Sequence, residues 1–188
     1  MGAGAGLTKG MMYLDDVASG FGVFGRGVDS SPGQFRFFEA TDTTFEAHNV
    51  FHATINPQAA QGVINGVDPK FLNPNSRFGA AFYVGEKPGT TFAELAHHGA
   101  SPTHGIRFEF NSSNANILDL TDPDTAKAWN YNGGPISSTT QEIGVKASEQ
   151  GFNVIRYYSE RDFGGINNAI LDNFDGLLTP QFVSPAKP

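Results

Sequence analysis

Apolar and polar positions along this chain fall into two regimes. Over residues 1–48 the periodicity is poor: a Gly-rich start leads into GFGVFGRGVDSSPGQFRFFEATD, where aromatics are scattered between Gly and Pro. This stretch reads as a lead-in, either a junction to a larger parent protein or an N-terminal segment packing onto the main body. Across 49–188 the signals sharpen into one domain. Residues 50–54 form a strand candidate, and Asn56 before Pro57 is an N-cap with proline at the first helical position, so a helix is expected over 57–64 with Gly66 closing it. VDPKFLNPNS follows as loop, because two X-Pro pairs disfavour helix. Residues 80–84 are the next strand. Thr91 and Glu94 stand in capping-box spacing at the start of a further helix, which Gly99 ends. Strands are expected at 105–110 and 116–120, able to pair through the NSSNA turn between them. Helices follow at 121–129 and 139–150, the second with Thr139 and Glu142 at its start and Gly151 after its end. Strands at 153–158, 168–172 and 177–181 complete the set. Long crossover helices do not recur regularly, so this order predicts an α+β fold with a split or two-sheet core and not a doubly wound parallel sheet.

Composition agrees with a folded domain. The 188 residues are 39% hydrophobic, enough for one compact core, and the 17 Phe, 5 Tyr and 1 Trp supply the buried area that a modest aliphatic content lacks. The 23 Gly and 11 Pro, spread without a period, imply many turns and short elements. A net charge of -7 gives no general attraction to phosphate backbones, yet local cations can still form an anion site because the Debye length is about 8 Å at physiological salt. The absence of Cys removes disulfides, thiolate nucleophiles and Cys-ligated zinc. The start MGAGAGLTKGMMYLDD has no apolar stretch of signal-peptide length, and no later run approaches the roughly 18 apolar residues of a membrane span, so no membrane partner is expected.

Missing motifs narrow the chemistry. The chain holds no G-x-G-x-x-G between strand and helix, no G-x-x-x-x-G-K-[ST], no H-E-x-x-H and no G-x-S-x-G. These absences argue against a Rossmann dehydrogenase, a P-loop triphosphatase, a zinc protease and an α/β-hydrolase. His97, His98 and His104 are near one another, but adjacent helical side chains point about 100° apart, so His97 and His98 do not ligate from one face and no metal is expected.

What is present resembles two related groups, the ADP-ribosyltransferase fold and the RES domains, named for an Arg, a Glu and a Ser. The His-Tyr-Glu type of ADP-ribosyltransferase is similar in Phe51-His52-Ala53-Thr54 followed by Gly79-Ala80-Ala81-Phe82-Tyr83. The RES pattern is similar in Arg77-Phe78, Tyr83, Ala93-Glu94, Ser159 after NVIRYY, and Asn167-Asn168 before AIL. The likeness spans roughly residues 49–175. SRFGAAFYV, ISSTTQEIG and VIRYYSERDFGG are also similar to toxin tips at the C-terminal ends of Rhs-repeat proteins that bacteria deliver into competitors. The resemblance implies an ADP-ribosyltransferase-like split β-sheet core with short flanking helices. It also implies NAD as co-substrate, a secreted effector such as those of type VI secretion that acts in the target-cell cytoplasm, and an immunity protein in the producing cell.

Cleaving the nicotinamide–ribose bond develops an oxocarbenium-like cation, which a carboxylate near the ribose stabilises. Glu94 is the chosen catalytic carboxylate, against a capping role; Glu109 on its strand and Glu142 are the alternatives. Tyr83 offers a ring on which nicotinamide stacks, or is a core strand residue. His52 and Thr54 would hydrogen-bond ribose or carboxamide, or are satisfied core residues. Arg77 has a planar fork suited to a diphosphate, in the turn with Phe78 and Gly79, or makes a surface ion pair. Ser159 is a further hydroxyl of the NAD site, not an activated nucleophile, since no base adjoins it in sequence. Three functions remain open: transfer of ADP-ribose to a protein or structured RNA, destruction of NAD by water or phosphate, and a non-enzymatic binding module.

Overall fold

The computed structural model describes residues 38–39, 48–99 and 101–187. Among the described residues eight strands form one sheet, β1 (Phe38–Glu39), β2 (Asn49–Thr54), β3 (Phe82–Gly85), β4 (His104–Phe110), β5 (Ile117–Asp119), β6 (Val154–Tyr158), β7 (Ile166–Ile170) and β8 (Leu178–Lys187), in the spatial order β1-β8-β4-β2-β3-β7-β6-β5. Pairing is antiparallel through the centre and parallel at the two margins, β1 with β8 and β5 with β6. Five short helices among the described residues accompany it: α1 (Pro57–Ile64), α2 (Pro88–His97), α3 (Pro123–Ala128), α4 (Ser138–Glu149) and α5 (Phe174–Leu177). The fold is therefore α+β, as the element order predicts.

The sheet has a seam. β2 and β4 register over six residue pairs from Asn49↔Glu109 to Thr54↔His104, whereas β2 and β3 register at Phe51↔Gly85. Alternation along the strands sends side chains to two faces. On one face Val50, Phe82, Val84, Ile106, Phe108, Val154 and Ile170 meet Ala60 and Val63 of α1 and Phe174 and Leu177 of α5. On the other, Ile155, Tyr157 and Ala169 meet Ile143 and Ala147 of α4, while Phe51 and Ala53 meet Phe92 and Leu95 of α2. α2 and α4 thus sit side by side on one face over different halves of the sheet, leaving a gap between them.

Several expectations need correction. The 105–110 and 116–120 segments do not pair: β4 is held by β2 and β8, and β5 lies at the far margin against β6, Ile117 opposite Val154. The intervening NSSNA residues form a 3-10 turn, Ser112–Asn114, and not a hairpin. Helix α2 begins three residues before Thr91, with Pro88 in its first turn, so Thr91 and Glu94 form no capping box. Thr91 is buried and its hydroxyl donates to the Pro88 carbonyl at 2.9 Å. α4 is capped by Ser137 and Thr140 instead of Thr139 and Glu142. Of the expected lead-in, Phe38–Glu39 extends the margin of the sheet beside β8; its other residues up to 47 lie outside the described residues.

Candidate functional site

On the α2/α4 face an open cleft lies beside α2 and the loop before α4. Its floor comes from the sheet. Tyr83 of β3, Tyr157 of β6 and Asn167 of β7 all project from the α2/α4 face, because each is offset by an even number of residues from a neighbour packed there. One wall is a stripe of α2, with Thr91, Glu94 and His98 at i, i+3 and i+7 on a single helical face, while Phe92 and Leu95 anchor the helix on β2. Ser76 and Arg77 close one end, and Ile136 and Arg161 reach in from the loops before α4 and after β6.

Glu94 meets three side chains in the cleft. Its Oε1 accepts from Ser159 Oγ and from Asn167 Nδ2, both at 2.8 Å, and its Oε2 lies 3.2 Å from Nη1 of Arg161. Ser159 in turn accepts at Oγ from the backbone N–H groups of Arg161 and Asp162, each at 3.1 Å, which fixes the turn after β6 and aims its hydroxyl proton at Glu94. Below the turn, the buried Thr90 donates to Asp162 Oδ2 at 2.6 Å and ties it to α2.

Arg77 is 5% exposed and already occupied. Its two terminal nitrogens meet Glu160 at 3.2 and 3.1 Å, Nη1 also donates to the Gly134 carbonyl, and the guanidinium stands 5.6 Å from the Tyr157 ring centre. It therefore latches the loop before α4 to the turn after β6. Phe78 packs in the core against Tyr131 and Tyr157 and does not line the cleft. Its backbone N–H donates to the Tyr83 hydroxyl at 2.9 Å, and that hydroxyl donates on to the Gly79 carbonyl at 3.4 Å. The Arg77-Phe78-Gly79 turn thus orients Tyr83. The turn itself is seated by α4: a Cβ on Gly144 would fall 2.1 Å from the Phe78 carbonyl oxygen, so only glycine lets the helix approach so closely.

His52 and Thr54 do not reach the cleft. His52 is 1% exposed on the opposite side of β2, stacked 4.5 Å from the Phe82 ring, with Nδ1 donating to the Tyr83 carbonyl at 3.0 Å. Burial pulls its pKa from 6.5 to about 4, the backbone hydrogen bond opposing this only in part, so the ring is neutral at physiological pH. Thr54 is buried, with its hydroxyl accepting from the Asn56 N–H. Glu109 is exposed on β4 and Glu142 is exposed on α4; neither lines the cleft. Burial keeps the Tyr157 phenol well above its ordinary range, with Tyr83 and Glu94 adding to the shift and Arg77 opposing it. Tyr157 therefore serves as a neutral wall.

The sequence pattern pointed to Arg77, Tyr83 and Glu94, with Ser159 and the Asn167-Asn168 pair beside them in the RES likeness, whereas Arg161, Tyr157, Thr91 and His98 were not assigned to the site. Asn167 carried a usable signal, since an Asn pair inside an otherwise apolar strand calls for buried partners. Two faces of one strand then divide the pair: Asn167 serves Glu94, and Asn168 approaches Glu86 at 3.5 Å beside the Glu86–Arg156–Asp119 ion network.

Among the described residues no group of His, Asp and Glu is placed to hold a metal ion, and no helix is long and apolar enough to cross a membrane. A comparison with protein families matches residues 66–182 to the RES domain, a span containing every residue that lines the cleft. Neither a curated protein nor a solved structure matches the chain.

Proposed function

The chain belongs to the RES domain family, whose members are ADP-ribosyltransferase-like, NAD-binding toxin domains, and from this premise we propose that it cleaves NAD and transfers the ADP-ribose to a macromolecule. The observation carrying this reading is the carboxylate of Glu94, set beside Tyr83 in the cleft and held at Oε1 by Ser159 and Asn167, 65 and 73 positions away in sequence. A carboxylate oriented by two donors is pre-set for charge that develops only in the transition state. The bond from ribose C1′ to the nicotinamide nitrogen breaks, its electron pair leaves with nicotinamide, and the cationic sugar faces Glu94. An acceptor oxygen or nitrogen then bonds to C1′ and releases its proton to solvent. Tyr83, its ring fixed through the Phe78 N–H, offers the stacking surface for nicotinamide.

Two exposed apolar groups support a macromolecular acceptor. Ile136 lines the cleft while remaining 43% exposed, and Phe163, two residues beyond Arg161, is fully exposed. An apolar side chain left partly in water at the cleft, as Ile136 is, suits contact with a second macromolecule. The toxin character of the family supports the further proposal that the domain is delivered into a target cell, acts in its cytoplasm and is blocked by an immunity protein in the producer.

A second reading is that water or phosphate accepts the sugar, so that NAD is simply destroyed. Arg77 and Glu94 line one cleft and Ser159 donates to Glu94 there, the residue types for which the family is named, and this favours it. Incubating the purified domain with NAD labelled in the adenylate, with and without a target-cell lysate, separates the two. Label that stays on macromolecules after denaturing gel separation, and is removed by protease or by RNase, supports transfer. Label recovered wholly as free ADP-ribose, or as its phosphorylated form, rejects transfer in favour of NAD destruction.

A further inference from the structure

Two guanidinium groups line the cleft, and they differ in what they have left to give. Arg77 is buried, with both terminal nitrogens on Glu160 and one also on the Gly134 carbonyl. Drawing it onto a ligand would unfasten the two loops that it joins. Arg161 is differently placed. Among the described residues its guanidinium meets carboxylates alone, Glu94 at 3.2 Å and more distantly Glu160 at 4.0 Å, both through Nη1. Its Nε is shut off from solvent and has no acceptor among the described residues. A buried donor without a partner is unfavourable, and a long side chain escapes that state by a small torsional change once an acceptor is offered.

We propose that Arg161 receives the diphosphate of the nucleotide substrate, and that its ion pair with Glu94 is the resting arrangement it leaves when substrate enters. The proposal rests on the NAD reading above. A diphosphate presents paired oxygens that match Nε and a terminal nitrogen of the planar fork, so binding satisfies the orphaned donor. Departure of Arg161 also resolves a conflict in the resting site. A cation 3.2 Å from Oε2 neutralises the carboxylate that is to stabilise a sugar cation, and moving it to the diphosphate restores the full charge of Glu94 toward the ribose. Glu94 does not lose its position in the exchange, because Oε1 remains on Ser159 and Asn167. Arg161 is on this account a binding residue, and Arg77 a positioning residue that holds the loops around it.

Calorimetric titration of the whole chain with inorganic pyrophosphate, ADP-ribose and NAD tests this, using the wild type, Arg161→Gln and Glu94→Gln, each checked for an unaltered thermal transition. Arg161→Gln is expected to weaken pyrophosphate and ADP-ribose by at least about tenfold, the scale of one lost charge-assisted contact. Glu94→Gln is expected to bind both several-fold more tightly, because Arg161 no longer has to be drawn off a carboxylate. A variant that merely failed to fold would not produce this gain. Arg161→Gln titrating like the wild type, or Glu94→Gln binding either ligand more weakly, overturns the proposal even if NAD is cleaved. Arg161-dependent binding of pyrophosphate and ADP-ribose by a protein that neither binds nor cleaves NAD leaves the diphosphate site standing and removes the NAD reading.

Discussion

Nδ1 of the buried His52 donates to the carbonyl oxygen of Tyr83 at 3.0 Å, across the seam where β2 and β3 register at Phe51↔Gly85. An imidazole from one half of the sheet thereby fastens the strand that presents the cleft's tyrosine in the other. This makes His52 a structural element of the site, and its ionisation a matter of stability. Its folded pKa is depressed to about 4 from 6.5, so between these values the unfolded chain binds more protons than the folded one. The contribution is complete above pH 6.5 and is lost as pH falls towards 4, by up to about 3 kcal/mol. Urea titrations at pH 7 and pH 4.5 should show that loss, and His52→Asn, which keeps a donor without the titration, should flatten it. An unchanged pH dependence in that variant would assign the acid lability to other groups.

Substituting the carboxylate tests chemistry apart from binding. Glu94→Gln keeps shape and a hydrogen-bonding oxygen but removes the charge, and turnover of NAD is expected to fall by about 100-fold or more with no loss of NAD affinity. Single-turnover measurements at saturating NAD read the chemical step directly. Unchanged turnover would remove Glu94 from the mechanism.

The two donors to Oε1 should act as a unit. Ser159→Ala and Asn167→Ala each remove one 2.8 Å hydrogen bond to a carboxylate, about 1.5 to 3 kcal/mol, and are expected to lower kcat roughly tenfold or more with little change in KM. The double variant should cost less than the product of the two, since once Glu94 is loose the second donor has less to hold. Strict multiplicativity would mean that the residues act independently of Glu94.

Gly144 sets the height of α4 over the Arg77-Phe78 turn. Gly144→Ala forces a methyl group against the Phe78 carbonyl, where the contact is to backbone that cannot swing aside. Overpacking of this kind costs about 1 to 3 kcal/mol, and the displaced turn should also reduce turnover through Tyr83 and Arg77. Val145→Ala, at a 61% exposed position one residue on, serves as the control and should leave both unchanged. The comparison needs only a thermal melt and a rate. Equal melting temperatures would show that α4 shifts at no cost.

Much was readable from local chemistry alone. Asn56 before Pro57, Gly66 and Gly151 placed the limits of α1 and the end of α4, because caps and positive φ angles are decided by a few adjacent residues. Strand candidates at 50–54, 105–110 and 153–158 placed β2, β4 and β6, and the absence of regular crossover helices pointed to α+β. The order Arg77, Tyr83, Glu94, Ser159 was likewise visible as spacing and likeness.

Three-dimensional packing decided the rest. Pro88 and Thr91 are both plausible helix starts; burial of Thr90 and Thr91 against β3 selects the earlier, and so turns Glu94 from a capping residue into the side chain at the centre of the cleft. β4 and β5 look like a hairpin because they are close in sequence, but β8 and β2 already saturate both edges of β4, which sends β5 to the far margin. His52 and Tyr83 both lie on aromatic-rich strands, and which of them reaches the cleft depends on the sheet face each one takes. That is set by which helices cover each face, a relation between residues far apart in the chain. The partners of Glu94 stand 65 and 73 positions from it, a distance over which no local periodicity carries information.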